Sequence, residues 1–147
     1  MENWRKILII IFRTSTLCLL LGQASCGGDD AAPSETDRVR GILKGAWKVQ
    51  TVRVDDTDQT TRYKNLTLTF TDANYSTTDG APVWPAAGGW TFTDETGKAI
   101  LRSDDVIITV EEATASTLVL RFDWDTTTIG PGRIKSIQGE HVFTFEK

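Results

Sequence analysis

From residue 45 onward the chain alternates apolar and polar positions with a period of two. Leu66, Leu68 and Phe70 share one face of Leu66-Thr-Leu-Thr-Phe70, and Trp90 and Phe92 share another. Leu118, Leu120, Phe122 and Trp124 fall in one phase, and His141 falls in phase with Phe143 and Phe145. This alternation marks antiparallel strands covered on one side. The intervening threonines suit it, because a β-branched side chain packs well on a pleated surface. The pattern predicts strands at 45–55, 66–71, 74–78, 89–94, 99–102, 106–111, 117–125 and 139–146. Turn chemistry separates them at 56–60, 72–73, 94–97, 103–105 and Gly130-Pro131-Gly132. Only Gly41-Ile-Leu-Lys44 suggests a helical turn. The expected fold is therefore all-β, a small antiparallel eight-stranded barrel, with an Ig-like β-sandwich as the alternative. Closure is favoured because it removes the threonine-rich edges that an open sheet would offer to neighbours.

The N-terminal residues follow a different pattern. Arg5 and Lys6 precede the apolar run Ile7-Leu-Ile-Ile-Ile-Phe12, which resumes as Leu17-Cys-Leu-Leu-Leu21 and ends in small residues. A basic start, a short apolar stretch and small residues predict a secretion signal over 1–25, too broken to favour a membrane span. The segment Leu21-Gly-Gln-Ala-Ser-Cys26-Gly-Gly-Asp-Asp30 resembles the lipobox and export signal of surface lipoproteins of Bacteroidetes. The resemblance implies cleavage before Cys26, diacylation of its thiol, and an address at the outer membrane or cell surface. Two acyl chains at one site hold a protein on a membrane where one is marginal. Cleavage would remove Arg5, Lys6, Arg13 and Glu2, taking the net charge from −4 to −6. Residues 26–40, rich in Ala, Pro, Ser and acids, lack periodicity and read as a lipidated, disordered tether. The barrel domain is expected over 41–147.

The first strand opens Leu43-Lys-Gly-Ala-Trp-Lys-Val49, and its Gly45-Ala46-Trp47 resembles the Gly-x-Trp motif that starts strand A of lipocalins. The later segments Leu66-Thr-Leu-Thr-Phe-Thr-Asp72, Gly89-Trp-Thr-Phe92 and Gly139-Glu-His-Val-Phe-Thr-Phe145 resemble the lipocalin-like domains of Bacteroidetes lipoproteins. The resemblance implies that Gly45 lets the chain enter the barrel floor and that Trp47 packs across that end. It also implies an arginine stacked on Trp47 from a late strand, with Arg121 and Arg133 as candidates. Arg121 shares its phase with Val119 and Asp123, which places it outside. The function implied is non-enzymatic: binding of a small hydrophobic molecule, or a filled structural barrel.

Composition narrows the chemistry further. Both cysteines, Cys18 and Cys26, lie near the start, and His141 is the one histidine. The domain therefore has no thiol nucleophile, disulfide, zinc cluster or multi-histidine metal centre, and no metal or cofactor is expected. The acidic balance, with a pI near 5.0, and the absence of a basic surround for the aromatics argue against nucleic acid. The inward aromatics Trp47, Phe70, Trp90, Phe92, Phe122, Trp124, Phe143 and Phe145 would crowd a barrel this small, so a shallow site is expected. In Ala81-Pro-Val-Trp-Pro-Ala-Ala-Gly-Gly89, Trp84 reads either as a plug over one end or as an exposed platform for a glycan or partner protein. Trp84, Trp90, Trp124 and His141 are the candidate ligand or partner contacts, though each has an ordinary core reading. Asp123 and Asp125 share a phase at about 6.5–7 Å by strand rise. That spacing overlaps the carboxyl separation of inverting glycosidases. Both would face solvent if Trp124 faces inward, which disfavours a surface hydrolase. Asp55-Asp-Thr-Asp58 lacks the calcium-loop pattern and reads as a hairpin turn. An accessory protein- or glycan-interaction module of a surface complex is the alternative to small-ligand binding.

Overall fold

The computed structural model describes residues 32–131 and 133–147. The signal, Cys26 and the first part of the tether lie outside the described residues. A helix, α1 (Glu35–Leu43), leads into β1 (Gly45–Val54), and a short hairpin strand β2 (Thr57–Asp58) and the helical turn α2 (Thr60–Tyr63) follow. The meander continues through β3 (Thr67–Phe70), β4 (Asn74–Thr78), β5 (Ala87–Phe92), β6 (Ala99–Arg102), β7 (Ile107–Ala113) and β8 (Thr117–Trp124). A two-stranded hairpin, β9 (Thr128–Gly130) and β10 (Arg133–Ser136), precedes the last strand, β11 (Gly139–Glu146).

Consecutive long strands pair antiparallel, and β1 pairs with β11 from Lys48↔Glu146 to Val54↔His141. That pairing closes an eight-stranded barrel and excludes the sandwich. The barrel is lipocalin-like: an up-and-down meander that enters at Gly45-Ala46-Trp47. Register shifts in β1 (Val49/Thr51) and β7 (Val110/Glu112) supply bulges, which bend a strand enough to close a small barrel. The β1–β2 turn is built on Asp55 (φ 45°) and Asp56 (φ 63°). Two adjacent positive φ values match the right-handed twist of the flanking strands, so this acidic pair makes a tight hairpin rather than a cation loop.

Residues 35–40, expected as tether, instead form most of α1. Ser34 caps the helix by accepting from Asp37 N at 3.1 Å, acids occupy the first turn, and Val39 and Leu43 are buried one helical turn apart. Arg40 lies over the rings of Trp90 (5.0 Å) and Phe92 (5.1 Å), which fixes the helix against the barrel wall.

Trp47 is fully buried at this end and donates from Nε1 to Leu43 O at 2.7 Å. The cation above it is Lys147, not Arg121. Lys147 Nζ sits 4.4 Å from the Trp47 ring and donates to Ile42 O and Lys44 O, each at 2.8 Å. Arg121 is on the outer face, paired with Glu111 (2.6 Å) and Glu140 (3.0 Å).

Candidate functional site at the barrel mouth

Strand direction sorts the connections into two ends. Residues 71–73, 93–98 and 114–116 join strands at the α1 end, whereas 55–66, 79–86, 103–106 and 125–138 gather at the other, the mouth. The mouth opens because of how β3 is placed. It pairs with β1 only from Gly45↔Phe70 to Lys48↔Thr67, while the upper part of β1 holds β2 instead. The wall therefore splits above Thr67, and α2 and the 79–86 loop flank the gap. A cleft of about 850 Å³ lies there, lined by Arg62 of α2 with Gln59 and Asn65 flanking that helix, from the loop by Asp79 and Gly80, and by Lys135 from β10.

The interior beneath this cleft is filled. Trp84 is 0% exposed, so it is a plug, and the reading of it as an exposed platform is corrected. Its loop is held by Trp84 N donating to Gly80 O (2.9 Å) and by Thr77 Oγ1 donating to Pro85 O (2.9 Å). The ring packs edge-on against Tyr75 (5.8 Å), Phe122 (5.4 Å) and Phe143 (6.0 Å). Trp90 is buried at the opposite end, where Nε1 donates to Thr71 O and Asn74 O, each at 3.2 Å. Trp124 is half-buried, and Asp123 and Asp125 on either side are exposed and do not line the mouth cleft.

His141 is fully buried, its ring nearly parallel to those of Phe122 and Phe143 and 5.8 Å from each centroid. Its Nδ1 lies 3.0 Å from Gly139 O. A carbonyl only accepts, so Nδ1 carries the proton and Nε2 presents a lone pair. Burial pushes the imidazole pKa below its ordinary value, against the smaller opposing effects of the Gly139 carbonyl and the charges of Asp55 and Asp123. Tyr63, the last residue of α2, is buried edge-on to Phe143 (5.2 Å) and His141 (6.4 Å), and burial raises its hydroxyl pKa to about 12.

Four ring atoms near the mouth, Tyr63 Oη, Trp84 Nε1, Trp124 Nε1 and His141 Nε2, are buried with no hydrogen-bond partner among the described residues. Each such atom costs about 1–3 kcal/mol when nothing satisfies it. The α1 end differs, since both of its tryptophans donate to backbone carbonyls. Of the candidate contacts Trp84, Trp90, Trp124 and His141, the structure brings Trp84 and His141 into one ring cluster through Phe122 and Phe143 and sends Trp90 to the other end.

One further polar group shapes this end. Arg102 is 1% exposed and its guanidinium lies 4.8 Å from the Trp84 ring centroid, 5.6 Å from Phe122 and 5.9 Å from Tyr75. Its Nε donates to Asp104 Oδ1 at 2.9 Å, its Nη2 to the second carboxylate oxygen, and its Nη1 to Val83 O at 3.0 Å. The guanidinium thus ties β6 to the plug loop, and its hydrogen bonds hold the Asp104 carboxyl below the usual range. Sequence reasoning missed Arg102, Tyr63 and the cleft residues. Arg102 had left a signal, being in phase with Ile100 and two residues before an acid.

No family model matches the sequence, and no curated protein matches it. Among the described residues, no group of three or more His, Cys, Asp or Glu side chains could hold a metal ion.

Proposed function

We propose that this chain is an exported, lipid-anchored, non-enzymatic binding domain whose recognition site is the mouth cleft rather than the barrel interior. The observation that carries the reading is the fully buried Trp84 plug beneath a polar cleft of about 850 Å³. That volume lies within the range of small-molecule sites, roughly 300–1,000 Å³. The side chains that would otherwise surround a hydrophobic cargo pack against one another instead. The lipobox resemblance at Cys26 supports anchoring at the outer membrane or cell surface.

Native mass spectrometry of the full chain extracted from host membranes tests this reading. The protein is incubated beforehand with the small-molecule and soluble-glycan fraction of the same cells. The expected mass is that of a chain beginning at a diacylated Cys26, plus a polar adduct. Ala86→Trp, which fills the cleft from an exposed position, should abolish the adduct. No adduct, or one that A86W retains, refutes the mouth as the site.

A further inference from the structure

Resting on that reading of the mouth, we propose that its ligand is a polar small molecule carrying a carboxylate or phosphate, with the oxyanion received by Arg62, Lys64 and Lys135. The chain has 20 acidic against 16 basic residues, so a cation seldom lacks a carboxylate to meet. Arg38, Lys44, Arg53, Arg102 and Arg121 each pair with one. Lys64 and Lys135 instead line the same cleft and form no ion pair among the described residues. Arg62 stands on that wall with them, its Nε donating to Gln59 Oε1 at 3.4 Å. Three cations around one concavity repel one another, and an oxyanion relieves the repulsion while accepting from their N–H groups.

Lys135 is positioned by its hairpin. Its stem lies over Gly130 of β9, where an added Cβ would fall 2.6 Å from Lys135 Cε and 3.1 Å from Cγ. Only a residue without a side chain lets the stem lie so close. Next to it, Ser136 Oγ donates to Thr126 O and accepts from Thr128 N, each at 3.1 Å, which pins the base of the hairpin. The remaining walls describe the rest of the ligand. Among the described residues no ring lines the cleft, so a flat apolar body finds no platform there. The amides of Gln59 and Asn65 and the carboxylates of Asp58 and Asp79 line it instead. Two carboxylates repel a compact polyanion but accept from hydroxyls, and amides both donate and accept. The oxyanion is therefore one end of a larger polar molecule, in keeping with a cleft of about 850 Å³.

The test titrates the full chain, in detergent at low and high salt, with glucose 6-phosphate, glucuronate, glucose and glucosamine. The four probes share a ring and differ in charge, and heat is the readout. One or both anionic sugars should bind at least about tenfold more tightly than glucose or glucosamine, and less tightly at high salt. The ratio between the two tells phosphate from carboxylate, and A86W should block both. Lys64→Met and Lys135→Met should each weaken anion binding about tenfold, the effect of one lost charge-assisted hydrogen bond. Gly130→Ala changes no charge but pushes the Lys135 stem aside, so it should weaken binding in the parent and add little in K135M. Lys48→Met removes the same charge from an exposed position on β1 that does not line the cleft, and should change affinity less than about twofold. Circular dichroism melts separate these losses from unfolding. Glucose or glucosamine binding as tightly as the anions, and blocked by A86W, overturns this inference and leaves the mouth as the site. Anion binding that A86W blocks but K64M and K135M spare, or that K48M weakens equally, does the same. Binding of no probe, or binding that A86W leaves intact, removes both.

Discussion

The buried guanidinium of Arg102 gives the sharpest test of how the plug is held. Asp104→Ala would strip the charge of its counter-ion while leaving it at 1% exposure with one carbonyl partner and three ring faces. Breaking a buried ion pair by removing one partner costs about 3–5 kcal/mol. The Asp104 side chain is 35% exposed, so water can reach part of the position it leaves, and the expected loss falls to about 2–3 kcal/mol. Arg102→Met removes the charge itself and keeps an unbranched stem against Trp84, Phe122 and Tyr75. It forfeits the bond to Val83 O, about 1 kcal/mol, and a cation–π contribution of about 0.5–1 kcal/mol, while Asp104 returns to water. R102M should therefore be the milder change, and D104A should add almost nothing in its background. Urea unfolding followed by tryptophan fluorescence and circular dichroism measures all three variants and their coupling. If D104A is no more destabilising than R102M, the ring faces and the Val83 carbonyl suffice for the charge, and the carboxylate is not its necessary partner.

Three other outcomes follow from named contacts. Lys147→Met should lower stability by about 1 kcal/mol by removing two hydrogen bonds to the end of α1, with Lys147→Arg close to neutral; urea midpoints and protease cleavage within α1 check both. Gly139→Ala should cost about 2 kcal/mol or more in thermal or urea unfolding, because Gly139 has φ 134° and an added Cβ would lie 2.4 Å from Asp55 Oδ2. His141 makes stability pH-dependent. Its folded pKa lies below the unfolded value near 6.5, so the unfolded chain takes up the proton first as pH falls. The stability is complete above about pH 6.5 and declines as pH drops toward the folded pKa, by at most about 1.4 kcal/mol per pH unit. Urea midpoints at stepped pH should show that decline in the parent and a flatter profile in H141N.

The strands were legible because burial on one face forces a period of two, and Leu118 to Trp124 or His141 to Phe145 have no other way to hide their rings. The helix α1 was not, since it buries only Val39 and Leu43 and leaves no run of apolar positions to follow. Ser34 with Asp37 three residues later was its available trace, a side-chain cap preceding a weakly amphipathic turn. Lys147 continues the inward phase of Phe143 and Phe145, so its place over Trp47 could have been read from spacing alone. The expectation of a late arginine drew attention elsewhere. The plug was half legible: two prolines around Trp84 signalled a stiff loop, but whether it turned in or out depended on Arg102, a partner 18 residues further along whose charge argues superficially for solvent. The cleft was not legible at all, because it arises from the early divergence of β3 from β1, a matter of pairing register rather than of residue pattern.

The two ends of this barrel differ for a physical reason. A domain of this size buries only part of its chain surface and holds a small stability margin. An internal cavity would forgo ring burial worth roughly 2–3 kcal/mol for each large side chain. Filling the interior with Trp47, Trp84, Phe143 and Phe145 secures the fold but leaves no room for apolar cargo. Recognition of the kind proposed would then fall where backbone can vary without loosening that core, at the end carrying the longer connections 55–66, 79–86 and 125–138. The α1 end has short turns and satisfied indoles. The mouth has long connections, a polar cleft and indole, phenol and imidazole atoms that no described residue satisfies. Stability alone gives no reason to retain four such atoms at one end, since Phe at positions 63 or 84 would fill nearly the same space without the polar group.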